Sequence, residues 1–146
     1  MNKAIFVACL LVLAVVVSAV LVLNVSKPSF AVLCASSDPL NLTVKGEAFS
    51  YGDSYVNCAA PLNPVEVVNV SGGAISGINC IVSEGFLPDV QGCPQDSVDN
   101  GKSFYLTLVP VSPSGSRLSP EITLNYTDSQ GQAEWVDITC ASIVCE

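Results

Sequence analysis

Hydrophobic positions follow two unlike patterns along this chain. From Ala4 to Leu23, twenty consecutive residues include one polar member, Ser18, and no charge. From about Phe30 onward, apolar and polar residues alternate in short runs separated by turn-forming residues. As a helix rising ~1.5 Å per residue, the apolar run matches the ~30 Å hydrocarbon core of a bilayer. Alternation with period two marks strands that lay one face on a core. The pattern therefore predicts a mostly β protein, with a hydrophobic N-terminal helix over residues 1–28 and a β head over residues 29–146.

Within the head, Leu40-Asn41-Leu42-Thr43-Val44-Lys45 alternates cleanly, and the phase changes near Gly46 before Phe49 and Tyr51. A glycine at a phase change signals a bulge or kink. Further strands are expected at Tyr55–Ala59, Val65–Val70, Ala74–Val82, Ser103–Val111, Glu121–Thr127 and Ala133–Cys140, the last three as a meander. Between them lie Leu62-Asn63-Pro64, Ser71-Gly72-Gly73, Asp99-Asn100-Gly101, Ser112-Pro113-Ser114-Gly115 and Asp128-Ser129-Gln130-Gly131, all strong turn formers. Seven or eight short strands and no helical period after Leu33 predict a β-sandwich, Ig-like or another Greek key. The immunoglobulin order of cysteine, central tryptophan and cysteine is missing, because Trp135 stands five residues before Cys140. The stretch Glu84–Lys102, with Pro88, Cys93 and Pro94, reads as a long surface loop tied by Cys93.

Three processing routes suit the apolar run. It can be a secretory signal cut after Val17-Ser18-Ala19, or a membrane anchor ending where Asn24, Lys27 and Pro28 meet the interface. The third rests on Lys3-Ala4, directly followed by the long apolar run. That junction resembles the basic-small pair cut by archaeal prepilin peptidases, and the layout of greasy segment then β-rich head resembles type IV pilins. The resemblance covers residues 1–28. It implies cleavage before Ile5, a retained helix, passage through the membrane and packing against copies of itself through Leu10, Leu13, Val16, Val17 and Val20. The glutamate that many bacterial pilins carry as fifth residue of the mature helix is absent.

Cysteines and sequons place the head outside the cytosol. Cys9 lies in the apolar run, leaving Cys34, Cys58, Cys80, Cys93, Cys140 and Cys145 in the head, enough for three disulfides in 15 connectivities. Zinc would favour a Cys-x2-Cys pair or histidine, and the chain has neither. Cys140 and Cys145 suggest a tie between the last strand and the body. N-glycosylation sequons start at Asn24, Asn41, Asn69 and Asn125. In strands, Asn41/Thr43 and Asn125/Thr127 would point away from their apolar neighbours, whereas Asn24 sits close to the apolar run.

Composition narrows the function further. No histidine means no Ser-His-Asp or Cys-His centre, and a net charge of −8 with five basic residues argues against nucleic acid. Asp96, Asp99 and Asn100 resemble a metal loop, but Val98 and Thr107 stand where an EF-hand needs oxygen ligands, so a turn is the favoured reading. No nucleophile elbow, phosphate loop or Ser-x-x-Lys pattern is present. The expectation is a non-enzymatic protein without cofactor or metal: a glycosylated subunit of an extracellular, cell-surface filament that assembles with itself. The alternative is a secreted or membrane-anchored monomeric recognition domain using the Glu84–Lys102 loop.

Overall fold

In the computed structural model, which describes residues 33–45 and 54–146, alternation becomes strand where it is most regular. Strand β8 (Glu121–Thr127) buries Ile122, Leu124 and Tyr126 and turns Glu121, Thr123, Asn125 and Thr127 outward. Strand β9 (Ala133–Cys140) does the same with Val136, Ile138 and Cys140. Asp128 closes the hairpin between them, its carboxylate Oδ1 accepting the N–H groups of Gln130 and Gln132, each at 2.8 Å. Such a turn needs a short acceptor at its first residue.

The remaining strands are β1 (Cys34–Ser36), β2 (Leu42–Val44), β3 (Ser54–Val56), β4 (Val65–Asn69), β5 (Ser76–Val82), β6 (Ser103–Leu106), β7 (Arg117–Leu118) and β10 (Ile143–Cys145). A four-stranded antiparallel sheet runs β1-β9-β8-β5. Strands β2-β4-β6 form a second sheet, also antiparallel. A third, mixed sheet runs β3-β10-β7, with β10 parallel to β3 and antiparallel to β7. The core between them is aliphatic, built around Val67, Ile75, Leu106, Ile122, Leu124, Val136, Ile138 and Ile143.

These findings correct the expected fold class. The described residues contain no helix, and their strands sort into three sheets rather than the two of a sandwich. The expected helix over residues 1–28 lies outside the described residues, as do Cys9, Asn24, Leu10, Leu13, Val16, Val17, Val20 and the phase change at Gly46. The expected meander is also corrected: β8 and β9 form a hairpin, but β6 belongs to another sheet. Between β6 and β8 stand Pro110, Pro113 and Pro120, which cannot donate to a ladder, so the chain crosses over instead of turning back. The ladder irregularity that is seen falls between Ser76 and Asn79, where Gly77 adopts φ +58°. That backbone region favours glycine.

Candidate functional site

Three disulfides close the head. Cys34 pairs with Cys140 across 106 residues, Cys58 with Cys145 across 87, and Cys80 with Cys93 across 13. The first joins β1 to β9 at the register pair Cys34↔Cys140, the point where the chain leaves the segment that precedes the head. The second anchors β10, and Glu146 N–H adds a bond to Val56 O at 2.9 Å. Such cross-links are consistent with an extracellular or secreted protein.

The segment Glu84–Lys102 is held far more closely than a loop tied at one cysteine. Phe86, Val90 and Val98 are buried in the core. Its backbone bonds residues after β6: Leu87 N–H reaches Val109 O at 2.9 Å, and Thr107 N–H reaches Gln91 O at 2.9 Å. Gly92, at φ +83°, lies so close to Tyr105 O that any Cβ there would collide with it. Sequence inspection misses this because the segment's bridges are single residue pairs, Phe86↔Pro110, Gln91↔Thr107 and Ile75↔Val98, with no alternation to mark them.

The three described sequon asparagines occupy quite different surroundings. Asn69 is fully buried at the end of β4. Its Nδ2 donates to Gly73 O and Val98 O, both at 2.8 Å, while its Oδ1 accepts from Ser71 N–H at 3.1 Å and Ser71 Oγ at 2.7 Å. Asn100 Oδ1 accepts from Gly72 N–H at 2.9 Å, so the Ser71-Gly72-Gly73 and Asp99-Asn100-Gly101 turns are locked together. At the Asn69 sequon the folded head does not present the amide to solvent, and the side chain is a structural clamp. Only the turn was legible, since an asparagine followed by Val70-Ser71-Gly72-Gly73 suits an Asx turn. We expect Asn69→Ala to cost roughly 2–4 kcal/mol, because Gly73 O and Val98 O each lose one of two donors and Ser71 loses the acceptor of its N–H and hydroxyl; urea unfolding checks this, and a loss below about 0.5 kcal/mol would contradict it.

Asn41 lies half-buried just before β2, its Nδ2 donating to Asp38 Oδ2 at 2.6 Å. It borders a polar cleft of about 100 Å³ shared with Ser71, Tyr126, Asp128 and Glu134. Burial, reinforced by Asp38, Glu134 and Asp128, raises the Tyr126 phenol above its ordinary range, so the hydroxyl stays neutral there. Asn125 stands half-buried on the outward face of β8, and its side chain bonds no other described residue. Of the three described sequon asparagines, it is the one whose amide is both outward and without a bond to another described residue.

Charged residues are few, and none of the described ones is buried. Lys45 Nζ meets Glu66 Oε1 at 2.6 Å on the surface; this hydrogen bond raises the lysine pKa and lowers the glutamate pKa. Among the described residues no three of His, Cys, Asp and Glu are grouped to hold a metal ion, and Asn100 serves its turn. No helix of the described residues is long and apolar enough to cross a membrane.

Comparison with known proteins adds no relative: no family model, curated protein or solved structure matches this chain.

Proposed function

We propose that this protein is a non-enzymatic subunit of an extracellular, pilin-like filament, held to its neighbours through the apolar segment 4–23 with the disulfide-linked head facing out. The observation that carries this reading is the position of the Cys34–Cys140 bridge. Any pull on the segment reaches the head at Leu33 and would peel β1 from β9 starting at its first pair. That pair is the covalent one. A head joined to a load-bearing stem needs its cross-link at this place, whereas a free monomer gains no mechanical benefit from it.

Two further features support the proposal. An uncharged run of twenty residues has to be kept from water, and packing copies together does so at ~25 cal/mol per Å² of apolar surface. Sugars on exposed head asparagines would keep the outer surface hydrated. The alternative, a recognition domain, would use residues 84–102 as a segment fixed to the body rather than as a free loop.

Two measurements on protein from its own host test the proposal: the mature N-terminus by mass spectrometry and electron microscopy of the cell surface. A start at Ile5 together with filaments is the expected result. A start at Val20 with monomer persisting at high concentration would sink it.

A further inference from the structure

The outer face of the four-stranded sheet carries a row of side chains with no role so far. Cross-strand register sets Asn79 of β5, Asn125 of β8 and Trp135 of β9 side by side. Leu124 and Tyr126 beside Asn125, and Val136 beside Trp135, turn inward, so Asn125 and Trp135 project from the same open face. Trp135 is 62% exposed. A single exposed apolar side chain is ordinary on a protein surface. What distinguishes this one is its partner, the sequon asparagine whose amide bonds no other described residue.

We propose that Trp135 is the platform on which the first pyranose ring of a glycan on Asn125 rests. The inference depends on the head being glycosylated, as read above. Directly opposed residues in an antiparallel pair have Cβ atoms roughly 4.5–5.5 Å apart, so a ring attached at Asn125 Nδ2 begins within reach of the indole. The C–H face of a pyranose is apolar and faintly positive, and the indole face is its electrostatic complement. Attachment uses a phosphate-activated oligosaccharide as donor. The Nδ2–C1 bond forms, the C1–O bond to phosphate breaks with its electron pair leaving on the phosphate, and Nδ2 gives up one proton. The hydroxyl of the sequon, Thr127, lies on the same face between Ser76 and Ala133, small residues that leave the approach open. On the other side of the row, Thr123 Oγ1 already donates to Asp137 Oδ1 at 2.7 Å, and Asn79 is an exposed amide able to bond a sugar hydroxyl.

The chain has one tryptophan, so intrinsic fluorescence reports on this site alone. The experiment compares the full chain purified from its host with its Thr127→Ala variant, which loses the sequon but keeps Asn125, and with Asn125→Gln as a second route to the same loss. Glycopeptide mass spectrometry establishes occupancy, and acrylamide quenching reads the indole. Losing the glycan is expected to raise the quenching constant roughly twofold and shift emission to the red, because a sugar covers one of the ring's two faces. Asn41→Gln is expected to leave both unchanged. An occupied Asn125 with quenching unaltered in both variants overturns the platform and leaves the glycosylated head standing. Sugar on Asn41 with Asn125 bare overturns it in the same way, and bare asparagines throughout overturn both readings.

Discussion

Replacing Cys34 and Cys140 together by alanine is expected to remove about 4–5 kcal/mol of head stability, the largest loss among the three bridges. The bridge closes a loop of 106 residues. Releasing a loop of that size returns the most entropy to the unfolded chain, about 4.7 kcal/mol for 100 residues in the chain-entropy treatment. The 13-residue separation of Cys80 and Cys93 gives a smaller loss, about 3 kcal/mol by the same relation. Single domains are stable by about 5–15 kcal/mol in all, so the first variant should sit near its folding threshold. Urea unfolding of both double variants reads the order directly. The Cys34/Cys140 variant should also show a steeper slope, since its unfolded state exposes more surface. A larger loss from the short bridge would refute the ranking. Full reduction of the native protein should lower its melting temperature further than either variant does.

The same bridge shows what was readable beforehand and what was not. That six head cysteines would pair was legible from their even number and the absence of zinc spacing. Which would pair was not, because Cys34 meets Cys140 only once β1 has found β9 at the far end of the chain. Period two gave β8 and β9 nearly to the residue, since each lays one face on the aliphatic core, whereas β4, buried on both faces over Val67–Asn69, was marked by its valines and the turns around it. Strands of two or three residues such as β1, β7 and β10 carry too few positions to show a period. Their pairing comes from distant partners and cross-links.

The candidate sites divide along the same line. Four sequons look alike as three-letter patterns, yet folding buries Asn69, engages Asn41 with Asp38 and leaves Asn125 uncommitted. The glycines that follow Asn69 mark a turn there, but they do not show that its side chain is buried. The neighbourhood of Asn125 was half visible. An Asp128-Ser129-Gln130-Gly131 turn sets a hairpin, and counting outward from Thr127 and Ala133 brings Asn125 opposite Trp135. The clamp between the two glycine turns was out of reach, because Asn69 and Val98 are 29 residues apart and meet only in the folded core.

Val16→Asp should abolish filaments while leaving the head folded, and it separates the proposed assembly from every reading in which the apolar segment is discarded. Val16 lies near the middle of the twenty-residue run, with no charge on either side between Ala4 and Leu23. A carboxylate forced among apolar neighbours costs several kcal/mol unless it takes up a proton, and it finds no cation in the run to pair with. In an assembly the cost recurs at every subunit, so it multiplies along the filament rather than trimming its length. Val16→Leu keeps the apolar character and should still assemble. The head's disulfides, strand content and melting curve should match the unsubstituted protein in both variants, since its core is built from residues far along the chain. Electron microscopy and sedimentation at neutral pH read the outcome. Normal filaments from Val16→Asp, with the aspartate found in the mature subunit by mass spectrometry, would show that this segment does not hold the copies together.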